Sequence, residues 1–215
     1  MRSFIISLFL LLASVLGQAQ HRTYLNTAPS SVHQDLYMTQ DDDGSYRFYV
    51  QLENWEHSRD SVFIVLNESE CLKVREAFRE LDETYSRWSS AAHMHRIKSY
   101  SRPMDIEFPR VVFQWKATRD VYRKELYEDE FRKSVLTTFP RPVFIVDSEG
   151  RCGVEMKTVF YEADNLSNKY QFRTLFWSSS SIRNVIRRCN PEKNIATYKK
   201  MNPRRTAEFY DSIFR

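Results

Sequence analysis

The chain has 215 residues, 32 Lys and Arg against 28 Asp and Glu for a net charge of +4, and 42% hydrophobic residues. That length can bury a real core in one domain, and three cysteines, Cys71, Cys152 and Cys189, are too few and too odd in number for a disulfide-built scaffold. The only glycines are Gly17, Gly44, Gly150 and Gly153, which excludes the clustered-glycine phosphate loops of dinucleotide-binding and P-loop enzymes.

Arg2 precedes an apolar run from Phe4 to Leu16, and Gly17-Gln18-Ala19 then places small residues two apart. This is the layout of a cleaved secretory signal, and the run is shorter than the roughly 20 residues that span a bilayer. The expectation is cleavage after Ala19 and export to a periplasmic or extracellular space, most naturally in a bacterial envelope. Residues 1–19 are then the signal peptide, 20–45 a flexible polar arm ending in Asp41-Asp42-Asp43-Gly44, and 46–215 a single domain.

Tyr46 to Leu52 alternates, with Phe48, Val50 and Leu52 on one face, and Val62 to Leu66 is a continuous apolar run; together they predict an antiparallel strand pair. Asn67 followed by Glu70 is a capping box. Behind it Val74, Phe78, Leu81, Tyr85, Trp88 and Ala92 step by four and three, which predicts a helix from about Asn67 to Arg96 with one buried seam. Strands follow at Arg110–Ala117, Val121–Tyr127, Pro142–Val146, Val154–Tyr161 and Tyr170–Trp177, and their short turn-rich connections suggest a meander. The charged segment Asp120–Lys133 fits strand or helix equally well. Ser178 to Ser181 offers caps for a helix carrying Ile182, Val185, Ile186 and Cys189, which Asn190-Pro191 ends, and Asn202-Pro203 opens a last short helix. The expected class is α+β: an antiparallel sheet, made of the N-terminal strand pair and the C-terminal meander, packed on one long amphipathic helix with short C-terminal helices.

Phe139-Pro140-Arg141-Pro142-Val143-Phe144-Ile145-Val146-Asp147-Ser148-Glu149-Gly150-Arg151 resembles the proline-led strand and turn of periplasmic thioredoxin-like proteins. The resemblance covers those residues alone. It implies the fold without the activity, because the family's paired redox cysteines are missing: after the strand-like Ser61–Leu66 only Cys71 follows.

Recognised catalytic sets are absent from the sequence. His93 and His95 invite a metal, but residues two apart on a helix point about 200° from each other, so a structural role is expected. Aligning Gly44 with the glycine of a calcium loop puts Thr39 and Val50 at the terminal ligand positions, where neither fits. No metal or cofactor is expected. Cys152, beside Arg151, is the one candidate for a thiolate nucleophile, and no histidine can be placed near it; inert thiols are the main expectation and a Cys152–Cys189 disulfide the alternative.

Charge is the remaining signal. From Asn165 to Arg215 there are 11 Lys and Arg against 3 Asp and Glu. Arg183, Arg187, Arg188, Lys193, Lys199, Lys200, Arg204 and Arg205 form the block, and Arg183 and Arg187 share a helical face. The expected function is non-catalytic binding, by this basic surface, of an anionic ligand or acidic partner: an acidic polysaccharide, an anionic membrane surface or a protein, and not nucleic acid in an exported chain. Two rivals stand beside it. One is a hydrolase of an envelope or extracellular polymer using carboxylates such as Glu155, Glu162 and Asp164; the other is a structural subunit of an envelope assembly that docks through its C-terminal helix.

Overall fold

The computed structural model describes residues 23–25, 35–55, 60–117, 131–161 and 169–202. Its strands are β1 (Thr23–Tyr24), β2 (Leu36–Gln40), β3 (Tyr46–Leu52) and β4 (Asp60–Leu66), then helix α1 (Glu68–Met94), then β5 (Tyr100–Pro103), β6 (Arg110–Ala117), β7 (Phe131–Thr138), β8 (Val143–Val146), β9 (Cys152–Tyr161) and β10 (Lys169–Phe176). Helices α2 (Ser179–Arg188) and α3 (Pro191–Met201) close the described chain.

The class is α+β, as expected, but the strands divide between two antiparallel sheets rather than one. The larger runs β1-β2-β3-β4-β6-β7 and the smaller β10-β9-β8-β5. The expected pair β3–β4 is present, with Phe48 opposite Leu66 and Leu52 opposite Val62. The meander survives as β8-β9-β10, whereas β6 returns to β4, so the second half of the chain supplies both sheets. Pairing around β8 is antiparallel on both sides, to β5 and to β9. Ser61–Leu66, the strand matched to the one before the family's redox cysteines, lies in the larger sheet and β8 in the smaller, so the thioredoxin-like resemblance at 139–151 covers a strand and a turn and not the sheet around them.

Part of the expected arm is strand. Leu36, Met38 and Thr39 are buried, and β2 pairs with β3 along its whole length. The turn that follows is as expected: Gly44 takes φ +86°, Asp43 accepts a hydrogen bond from the Ser45 N–H at 2.9 Å, and Asp41 pairs with Arg47 at 2.7 Å. These carboxylates are used by their own turn.

Helix α1 begins as its sequence dictates. The Asn67 side chain accepts from the Glu70 N–H and Glu70 accepts from the Asn67 N–H, each at 2.8 Å. The seam Val74, Phe78, Leu81, Tyr85 and Ala92 is buried.

An aromatic core joins the layers. Phe78 of α1 meets Phe108, Phe139 and Phe176 edge-on at 5.2 to 5.9 Å. Phe113 of β6 touches Phe172 of β10 at 5.2 Å, and Trp115 touches Phe160 and Tyr170 at 5.5 and 5.7 Å. The Trp115 indole N–H donates to the Gln171 carbonyl at 3.1 Å, so the ring ties the larger sheet to the smaller by packing and by a hydrogen bond. Asn54 adds a second tie at the free edge of β10. Its amide donates to the Gln171 carbonyl at 3.3 Å and accepts from the Arg173 N–H at 3.0 Å, filling main-chain positions that a further strand would otherwise occupy.

Gly153 is required for space and not for backbone freedom. A Cβ there would lie 2.8 Å from Cε3 and 3.0 Å from Cζ3 of Trp177, whose ring rests on the glycine. Gly153→Ala is expected to lift that ring and cost about 1–3 kcal/mol. A shift in tryptophan emission together with a lowered midpoint of urea unfolding would report it; unchanged emission would contradict the packing described.

Candidate ligand-binding surface

Helices α2 and α3 carry the basic block, and the fold treats its members differently. Ser178 caps α2 by accepting from the Ser181 N–H, and Ile182 and Val185 face the core. On the other side of α2, Arg183 and Arg187 stand one turn apart and exposed. Arg183 donates to Asp82 of α1 at 2.7 Å, and Ser179 hydrogen-bonds the other oxygen of the same carboxylate. Asp82 is only 8% exposed, and it fastens α2 to α1. Arg183 is thus already engaged, although its side chain keeps 63% exposure.

Arg188 is a correction to the expected surface. Its residue is 2% exposed, and its Nη1 donates to the Gln51 carbonyl at the end of β3, with a longer contact of 3.5 Å to the Asp35 carbonyl. Burial without a tight carboxylate partner pulls its pKa down to about 10, still high enough to leave it charged at neutral pH. A guanidinium spent on main-chain oxygens inside the fold presents nothing to a ligand.

The remaining described members are Arg187 on α2 and Lys193, Lys199 and Lys200 on α3, all exposed. None is within ion-pair distance of a carboxylate among the described residues, in contrast to Arg47, Arg79, Arg141, Arg151, Arg173 and Arg183, which each have one. Lys193 and Lys200 are seven residues apart and share a face of α3. Glu192 is the single acid in α2 and α3. Lys199 points to a cleft of about 490 Å³ lined also by Gln40, Gly44, Tyr46, Tyr198 and Asn202, where the Tyr46 and Tyr198 rings meet edge-on at 5.6 Å. Arg204 and Arg205 lie outside the described residues, as do the helix expected from Asn202-Pro203 and the strand expected at Val121–Tyr127.

Of the carboxylates named for a hydrolase, only Glu155 lies among the described residues, and it is already paired. Glu155 holds Arg173 at 2.7 Å with one oxygen and Lys157 at 3.5 Å with the other, while Glu162 and Asp164 lie outside the described residues. A second cleft, of about 640 Å³ beside α1, gathers Glu76, Glu80, Glu83 and Glu107 with Lys73 and Arg79, and Glu76 is paired with Arg79 at 2.9 Å. His93 and His95 are exposed at the end of α1, and no group of three or more potential metal ligands occurs among the described residues.

Each cysteine is a buried free thiol. Burial raises the Cys152 pKa, and the neighbouring guanidinium turns away: Arg151 donates to Asp147 at 2.6 Å and lies over the Trp177 ring at 5.8 Å. Cys152 is therefore not activated as a nucleophile. The Cys152–Cys189 pairing is excluded by the length of α1. Cys152 sits near Tyr85, whose hydroxyl donates to its carbonyl at 3.2 Å, whereas Cys189 sits near Cys71, fourteen residues and about 21 Å of helix rise away.

No family model, curated protein or solved structure matches the chain. Among the described residues no helix is long and apolar enough to cross a membrane.

Proposed function

We propose that this is an exported, non-catalytic binding protein that holds an anionic ligand or an acidic partner against the outer faces of α2 and α3. The observation that carries the reading is the set of exposed cations Arg187, Lys193, Lys199 and Lys200, none paired with a carboxylate among the described residues. Several cations held on short helices create an attractive field, and each such charge near an anionic surface is worth about 1 kcal/mol. The polar cleft beside Lys199 would seat one sugar or headgroup of a longer anion. Export rests on the leader: one basic residue, an apolar run and small residues two apart.

A triple variant, Arg187→Ser, Lys193→Ser and Lys200→Ser, tests the reading while sparing the Arg183–Asp82 contact and the buried Arg188. Affinity for a sulfated polysaccharide, measured by calorimetry, is expected to fall about a hundredfold at low salt. Equal affinity in variant and parent would reduce the block to charge balance for the acidic first half of the chain.

A further inference from the structure

We propose that Cys71 and Cys189 are partners in a disulfide that locks α2 onto α1. Two observations place them together. First, Asp82 fixes the register of the helix pair, because Ser179 has a short side chain and still reaches its carboxylate. Ten residues run from Ser179 to Cys189 and eleven from Cys71 to Asp82, so in an antiparallel pair both thiols stand about 15–17 Å from that contact, at nearly the same level. The direction is set by Tyr85, three residues beyond Asp82 toward the C-terminus of α1, whose hydroxyl donates at 3.3 Å to the carbonyl of Trp177, just before α2 begins. Second, each thiol lies in the other's surroundings: Cys189 is among the groups that raise the Cys71 pKa, and Arg75, one turn beyond Cys71, bears on Cys189. Both residues are 0% exposed and belong to the same core. Cys152 is separated from them along α1, which leaves it the unpaired member of the odd set.

The chemistry is thiol–disulfide exchange with an external disulfide. One cysteine, as thiolate, attacks a sulfur of the oxidant RSSR and expels RS⁻; the second thiolate attacks the protein sulfur of the mixed disulfide and expels another RS⁻. The two protons given up by the protein end on two RSH, so the protein is oxidised by two electrons and the oxidant is reduced by two. Because burial pushes both thiols up, Cys189 to about 12, exchange is slow in the closed fold and belongs to folding or to opening of α2 from α1. This inference is independent of what the basic face binds.

The test is to refold the full chain in oxidised and reduced glutathione, quench with an alkylating agent and map the peptides. The expected product is one Cys71–Cys189 link with Cys152 alkylated, a mass lower by about 2 Da before alkylation, and a Tm about 10 °C above that of the reduced chain. Oxidation of the already folded chain should be far slower than oxidation during refolding. Three alkylated cysteines after refolding, or a link that includes Cys152, would overturn the proposal. A Cys71→Ala/Cys189→Ala double variant adds a check: its Tm should be the same in oxidising and reducing buffer, and a persisting difference would contradict the assignment.

Discussion

Replacing Trp115 with alanine is expected to lower the unfolding free energy by about 3–5 kcal/mol, a large fraction of the roughly 5–15 kcal/mol margin of an ordinary domain. The ring is fully buried and touches Phe113 of its own strand together with Phe160 and Tyr170 of the smaller sheet. Truncation opens a cavity between the sheets and also leaves the Gln171 carbonyl without the indole donor. Trp115→Phe separates the two contributions. It restores much of the contact area and still lacks the N–H, so a loss of about 1–2 kcal/mol is expected. Urea unfolding followed by circular dichroism measures both. A Trp115→Ala chain as stable as the parent would mean that the two sheets are not held together at this ring.

Arg188 should behave as a structural residue and not as a contact residue. Arg188→Ala is expected to cost about 3–5 kcal/mol, because it empties a buried volume and strips a donor from the Gln51 and Asp35 carbonyls. Arg188→Met fills the volume and removes the desolvation penalty of a buried charge, leaving the orphaned carbonyls as the main loss, about 1–3 kcal/mol. The decisive comparison is with binding. Folded Arg188→Met should bind a sulfated polysaccharide as tightly as the parent, since the guanidinium never faces solvent. Weakened binding by a fully folded Arg188→Met chain would put this residue back on the ligand surface.

The elements legible in the sequence are those with a regular apolar period. Strand β3 and the α1 seam each place apolar residues at the period of their structure, and β6 repeats the pattern with Val111, Phe113 and Trp115 inward. What escaped has a physical reason in each case. Strand β2 is buried on both faces, so Leu36, Tyr37, Met38 and Thr39 show no alternation and read as part of a polar arm. Strand β5 is an exposed edge of four residues ending in proline, which sheet interiors reject and edges accept. Strand β7 is the other kind of edge, with Ser134, Leu136 and Thr138 exposed, and its charged start obscured it. Asn190-Pro191 was legible as the end of α2 and equally signals the start of α3: Asn190 accepts from the Lys193 N–H at 3.2 Å and Pro191 occupies the first turn.

The candidate surface was legible as charge and not as geometry. Counting lysines and arginines locates the block, but only the fold separates Arg188, whose burial follows from the position of α2 over the end of β3, from Arg187 one residue earlier. Likewise Arg183 could not be matched to Asp82, about a hundred positions away, until α2 was seen to lie along α1. The cysteines follow the same rule: the sequence left Cys152–Cys189 as an alternative to inert thiols, and only the fold shows that α1 separates Cys152 from Cys189.

The most direct test of the functional reading is the salt dependence of polyanion binding, comparing the parent chain with the Arg187→Ser/Lys193→Ser/Lys200→Ser variant. Binding through these cations releases counterions, so the logarithm of the association constant should fall steeply with the logarithm of salt concentration. The slope should be shallower in the variant by about 2–3, roughly one ion per lost contact. Parallel slopes and equal affinities for the two proteins would contradict the account and turn the search for a ligand away from α2 and α3.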